Sequence, residues 1–254
     1  MKEMIARGES FPCESNWLMA GYIRTGYQTA GRGQTGNGWE SEPDKNLLCS
    51  ILLDIDRFHL CMPPFNINQA VCAALHKMIQ SLLPDDNQLT IKWPNDIYYG
   101  DKKLAGILIE NLYGGNDVKY MIAGIGLNVN QTTFVSDAPN PISIKQITGL
   151  DYDLEELMNK LLDEMNQALA TSNGEYYMAH LYRREGFWPF VEREVSTAPT
   201  MNYSPSLEER DGEGLERPIF LAKIEDVRTD GELELRDKDG NLRTYHFKQI
   251  RYVL

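Results

Sequence analysis

The sequence predicts an α+β fold, a mixed or antiparallel sheet carrying helices, followed by a small C-terminal β-barrel. Three observations predict it. Short runs rich in β-branched and aromatic residues recur between turn residues. Two longer segments carry apolar residues at helical spacing. The end of the chain alternates apolar and polar residues between glycine turns. A chain of 254 residues accommodates one large domain and a smaller one.

Taken in order, strands are expected near 18–28, 47–55, 89–93, 96–99, 104–112 and 119–127. A helix is expected over 67–83, where Ala70, Ala73, Ala74, Met78 and Leu82 share a face. A second is expected over 153–171, opened by Asp153 three residues before Glu156 in the manner of a capping box. Strands, a helix, more strands and then helices are the order of an α+β domain. The stretch "STAPTMNYSPSLEERDGEGLERP" (196–218) is polar, acidic and broken by Pro and Gly, and reads as a linker or insertion. After it, strand-like alternation is interrupted at "TDG" and "DKDGN", the pattern of a small antiparallel barrel. The predicted division is therefore 1–195, 196–218 and 219–254.

Composition narrows the function classes. The 25 Lys and Arg against 37 Asp and Glu leave a net charge of -12, which disfavours a broad electrostatic grip on DNA or RNA. The longest apolar runs fall far short of the roughly 20 residues of a membrane-spanning helix, and "MKEMIARGES" has no apolar signal core. A cytoplasmic location is expected. Cys13, Cys49, Cys61 and Cys72 show no CxxC spacing and read as reduced, buried thiols. The four histidines form no metal-binding pattern, so structural zinc is not expected.

Three glycine-bearing stretches carry the chemistry. In "GYQTAGRGQTGNGW" (26–39) the glycines let backbone amides approach an anion, and Arg32 adds a planar donor fork suited to phosphate or carboxylate. The loop matches neither common nucleotide fingerprint, and Trp39 reads equally as a core residue or a stacking platform. In "IKWPNDIYYGDKKLAGILIE" (91–110), Lys92, Asn95 and Asp96 crowd around Pro94. Asn95 and Asp96 read either as turn formers or as oxygen ligands for Mg2+. Lys103 stands three residues before Gly106, a cation beside a point of close backbone approach. In "YMIAGIGLNVN", Gly124 and Gly126 lie inside an apolar strand, and Asn128 follows with an amide able to read a base edge.

In this order, "YQTAGRGQTGNGW", "KWPND", "KLAGILIE" and "GIGLNVN" strongly resemble the catalytic domain of biotin protein ligases, over roughly residues 17–188. The tail resembles that family's C-terminal SH3-like barrel. The resemblance implies an enzyme that activates biotin with ATP and Mg2+ as biotinyl-5'-adenylate. The biotinyl group then passes to a lysine of a biotin carboxyl carrier domain of acetyl-CoA carboxylase or a related carboxylase. It implies that Arg32 orders the loop over carboxylate and phosphate, with Gly31 and Gly33 beside it. Lys103 would contact the reacting oxygens, and Gln28 would bond the ureido head. Gly106 and Gly124 would line the biotin slot, Trp39 would stack on adenine and Asn128 would bond its edge. Asn95 would help hold metal-bound phosphates, and Asp96 would orient or deprotonate the acceptor lysine.

Departures from the family pattern are equally informative. No room is left for the N-terminal helix-turn-helix of repressor relatives, so DNA binding is not expected. The family's Asp-Ser-Thr-Asn segment has its nearest counterpart in "CESN" (13–16), leaving Ser15 as its hydroxyl. Gln34, Thr35 and Asn37 stand where many relatives carry basic residues. Homodimer formation stays open, and a lipoate or octanoate ligase or a non-catalytic biotin and nucleotide binder are the competing readings.

Overall fold

The computed structural model describes residues 19–33, 38–55, 63–84, 87–115, 117–135, 140–193 and 219–253. The chain divides into two compact units, Met1–Tyr182 and Arg183–Leu254.

The first unit is built on six strands: β1 (Met19–Thr25), β4 (Leu47–Asp54), β5 (Leu89–Lys92), β6 (Asp96–Tyr99), β7 (Lys102–Gly114) and β8 (Asp117–Leu127). They form one antiparallel sheet in the order β1-β4-β8-β7-β6-β5. Two-residue strands β2 (Gly31–Arg32) and β3 (Gly38–Trp39) make a separate hairpin within the glycine loop. All six expected strands are present, and antiparallel pairing follows from their short connections.

Helix α1 (Pro64–Gln80) packs against helix α3 (Leu154–Leu169) and against β5 and β6, while α3 packs on β4, so the helices cover one face of the sheet. Leu104, Ala105, Ile107, Ala123, Ile125 and Leu127 are buried in the resulting core. Helix α1 starts three residues before the expected 67 because Pro64 suits the first helical turn, where its missing N–H is no loss. The Asp153 cap is present, its side chain accepting from the N–H groups of Glu156 and Glu155. Those bonds hold its carboxyl below the ordinary carboxylate range. The reciprocal capping box lies instead at Ser143 and Gln146, opening the short helix α2 (Ile144–Thr148), which was not expected. A further short helix, α4 (Gly174–Ala179), follows α3.

The second unit is a five-stranded antiparallel, SH3-like sheet of β9 (Trp188–Glu192), β10 (Phe220–Val227), β11 (Leu233–Asp237), β12 (Leu242–Tyr245) and β13 (Ile250–Tyr252), in the order β12-β11-β10-β9-β13. Its start corrects the predicted boundary at 195. Strand β9 pairs with both β10 and β13, and fully buried Phe190 meets the rings of Phe220 and Tyr252 at 6.2 and 4.9 Å. The expected linker at 196–218 lies outside the described residues. No helix among the described residues is long and apolar enough to cross a membrane.

Candidate active site

Cross-strand register assembles the site. Asp96 of β6 pairs with Gly106 of β7, Gly106 with Gly126 of β8, and Gly126 with Leu48 of β4. The middle of this row is thus two strands of bare backbone. The Trp39 indole lies on it. A Cβ built on Gly126 would meet Trp39 Cε2, Cζ2 and Nε1 at 2.5, 2.8 and 2.8 Å, and one on Gly106 would meet Cζ3 at 3.2 Å. Glycine is required here because the ring occupies the volume of a side chain.

Lys103 reaches the same row through a β-bulge. A spacing of three residues in a regular strand would put Lys103 and Gly106 on opposite faces. Pairing shifts, however, from Ile97–Ala105 to Tyr98–Lys103, and the extra residue Leu104 turns Lys103 onto the face of Gly106 and Asp96. Its Nζ lies 2.8 Å from Asp96 Oδ2 and 6.0 Å from the centre of the Trp39 ring. Both members of the ion pair are partly exposed, at 32% and 27%, so the pair is accessible to a ligand. The strand start is held by Lys103 N–H donating to Asn140 O at 2.8 Å and Ile142 N–H donating to Lys103 O at 3.0 Å.

The WPND turn is anchored to both layers. Its Trp93–Pro94 peptide is cis. The Pro94 carbonyl accepts from Tyr177 Oη at 2.7 Å and Asn68 Nδ2 at 2.9 Å. Asn95 is buried, its Nδ2 donating to Ile107 O at 2.6 Å and its carbonyl accepting from Ile107 N–H at 3.2 Å. Of the two readings of Asn95, the turn former is the one its hydrogen bonds describe. Lys92 donates to Tyr98 Oη at 3.1 Å, and burial, followed by the nearby Asp96 charge, pushes the Tyr98 hydroxyl up.

At the end of β8, Asn128 is buried, its N–H donating to Leu104 O and its Nδ2 to Ile142 O. Its Oδ1 and the Trp39 Nε1 are buried with no hydrogen-bond partner among the described residues. Two such polar atoms at the rim of one glycine floor mark it as a place for a polar ligand. In the loop, Gly31 pairs with Trp39 and Arg32 with Gly38. A Cβ on Gly31 would collide with Trp39 O and lie 3.0 Å from Gln28 Oε1. Gln28 and Arg32 are exposed, and Gly33 is half-buried.

The structure therefore brings together Trp39, Asp96, Lys103 and Gly106, with Gly31 paired to the Trp39 backbone and Gln28 beside Gly31. Gly124 sits one row away, between Leu108 and Ser50, where a Cβ would meet nothing closer than 3.6 Å. Of the two strand glycines, Gly126 is the one that the Trp39 ring approaches closely. Ser15, Gln34, Thr35 and Asn37 lie outside the described residues, as do Cys13 and Cys61. Cys49 and Cys72 are free and buried, as expected, and burial pushes the Cys49 thiol up to about 12.

This geometry offers a flat indole, a bare strand floor and a cation held beside it, the elements needed to seat a planar ring next to an anionic group. Residues 10–128 match the model of the biotin/lipoate A/B protein ligase family. The chain is 29% identical over 170 residues to the bifunctional ligase/repressor BirA of Escherichia coli, an alignment covering 66% of this chain and 52% of that protein. It is 29% identical over 167 residues to the biotin–acetyl-CoA-carboxylase ligase of Paracoccus denitrificans, covering 62% and 68%. The chain thus matches about half the length of the first of these relatives and two thirds of the second. In fold it resembles the biotin protein ligase of Aquifex aeolicus in complex with biotin and ATP, with a TM-score of 0.67, 21% identity, and coverage of 94% and 92%. The glycine loop, the WPND turn and the paired strand glycines all fall within the span that matches the biotin/lipoate A/B protein ligase family model.

Proposed function

We propose that the protein is an ATP-dependent biotin ligase that forms biotinyl-5'-adenylate and transfers the biotinyl group to a lysine of a biotin carboxyl carrier domain. The observation that carries this reading is the Trp39 indole on the Gly106–Gly126 floor with the Lys103–Asp96 pair at its edge. In the first half-reaction a biotin carboxylate oxygen bonds to the α-phosphorus of ATP, and the bond to the bridging oxygen breaks to release pyrophosphate. Two anions must meet, so the positioned ammonium of Lys103 and the guanidinium of Arg32 lower the barrier by screening them. Gln28 bonds the ureido head. Gly31, Gly106 and Gly124 line the biotin slot, Trp39 stacks on adenine, and Asn128 offers its Oδ1 to the adenine edge, with Gly33 in the closing loop.

In the second half-reaction the neutral amine of the acceptor lysine bonds to the biotinyl carbonyl carbon, AMP leaves, and one proton is lost from nitrogen. In this reading Asp96 receives or relays that proton once Lys103 has turned to the substrate oxygens, and its ion pair with Lys103 supports the assignment. Among the described residues no three His, Cys, Asp or Glu side chains converge on one point. A Mg2+ ion would accordingly be held mainly by the phosphates it arrives with, beside Asp96.

The test is biotin-dependent exchange of label between pyrophosphate and ATP. Exchange with biotin is the expected result, and its absence from intact protein refutes the reading. The matched family also embraces lipoate ligases, so lipoate and octanoate belong in the same assay. Binding of biotin and ATP without labelling of a carrier domain would instead identify a non-catalytic binder.

A further inference from the structure

Two buried amides outside the glycine floor tie together the segments that carry its ring and its amide. Gln131 is 1% exposed although it bears four hydrogen-bonding positions. All four are used: Oε1 accepts from Glu42 N–H at 3.0 Å and from Asn46 Nδ2, while Nε2 donates to Thr133 O at 2.8 Å and Glu40 Oε1 at 3.3 Å. Asn46, also 1% exposed, uses its Oδ1 to accept from Val129 N–H at 3.1 Å. Glu40 Oε1 further accepts from Val135 N–H at 2.9 Å, and Asn130 N–H donates to Lys45 O at 2.7 Å.

Every one of these bonds except Gln131 to Thr133 joins the segment 40–46 to the segment 129–135. The first begins one residue after Trp39 and the second one residue after Asn128. Burying a Gln–Asn pair costs free energy that only a complete set of partners offsets, so the network fixes the spacing of its two segments more sharply than an apolar contact would. Its output is the distance between the indole and the orphaned Oδ1 of Asn128.

We propose that Asn46 and Gln131, with Glu40, form a positioning clamp that sets the nucleotide half of the site, so that nucleotide affinity depends on residues that never touch the nucleotide. The proposal rests on the ligase reading above. A clamp of this kind acts on the adenine side, whereas the carboxylate side is set by the bulge at Leu104 and the Lys103–Asp96 pair, so the two ligands should separate.

The experiment is titration calorimetry of the whole protein with ATP and, separately, with biotin, alongside amide hydrogen exchange at Glu42, Val129 and Val135. Gln131→Glu removes both Nε2 donations and sets a carboxylate against Glu40. Glu40→Ala releases the Val135 and Gln131 ends without opening the core, and serves where Gln131→Glu fails to fold. Weakening of ATP binding by at least about tenfold is expected, equivalent to about 1.4 kcal/mol. Biotin binding should stay within about threefold, and protection at Val135 should be lost. Equal weakening of both ligands, or unchanged ATP affinity with protection lost, overturns the clamp while leaving the ligase reading intact. Wild-type protein that binds neither ligand refutes the ligase reading itself, whereas loss of Val135 protection in Glu40→Ala still reports on the clamp.

Discussion

Gly126→Ala tests the glycine floor most directly. The added carbon would lie 2.5 Å from Trp39 Cε2 and 2.8 Å from both Cζ2 and Nε1. Carbon atoms rest in contact at roughly 3.5 Å or more, so the ring must retreat by about 1 Å. The indole is rigid and its backbone is paired to Gly31, so the retreat requires the whole hairpin to shift or the ring to leave its rotamer. Overpacking of this kind costs about 1–3 kcal/mol, and a misplacement of about 1 Å at a reacting site can lower rate on the order of a hundredfold. Gly124→Ala is the control for stability, because its nearest new contacts, at 3.6 and 3.8 Å, are ordinary ones and neither glycine has a left-handed backbone. Thermal melts and pyrophosphate exchange at varied ATP read both effects. Gly126→Ala should lower the melting temperature by several degrees and raise the ATP KM, while Gly124→Ala should leave the melt unchanged or slightly raised. Equal melts for the two variants, or wild-type exchange by Gly126→Ala, would refute the assignment of the floor to Gly126.

Three further outcomes are expected. Lys103→Ala should cut biotin-dependent exchange by about a hundredfold or more, as loss of a positioned charge donor does. The stability change should stay within about 1 kcal/mol because its partly exposed pair with Asp96 contributes little to folding; an unfolded or fully active variant contradicts the role. Burial pushes His76 down to about 4, and its ring bonds Tyr176 Oη and Leu89 O. A histidine kept neutral when folded makes the unfolded state the better proton binder below the ordinary histidine value of 6.5. Stability should therefore fall as pH drops from about 6.5 to about 4, by on the order of 3 kcal/mol. His76→Gln should flatten that slope in pH-dependent melts, and an identical slope would exclude His76 as its source. Finally, Cys49 and Cys72 should resist alkylation at pH 8 in the native protein and react once it is unfolded, as located by peptide mass mapping.

Local patterns made much of this protein legible. The six strands of the main sheet, the helix with alanines at helical spacing and the Asp153 cap all follow from periodicity and end signals that act within a few residues. The four strands of the tail follow in the same way. The glycine loop, "KWPND" and "KLAG" pointed to a site because glycine and charge inside strand-like surroundings need a reason. What sequence spacing could not decide was facing and pairing. Counting residues from Lys103 to Gly106 puts them on opposite faces, and only the pairing of β7 with β6 reveals the bulge that reunites them. Gly124 and Gly126 are equivalent in a strand read alone, and only the position of Trp39, far away in sequence, separates them. Asn95 became a turn anchor through the carbonyl of Ile107, and β9 joined the second unit through partners far along the chain. Asn46 and Gln131 carried no local signal at all, since an amide looks the same in a sequence whether it faces water or closes a buried network. Strand order, register and burial arise from contacts between distant segments, and those contacts turned a list of suggestive residues into one site.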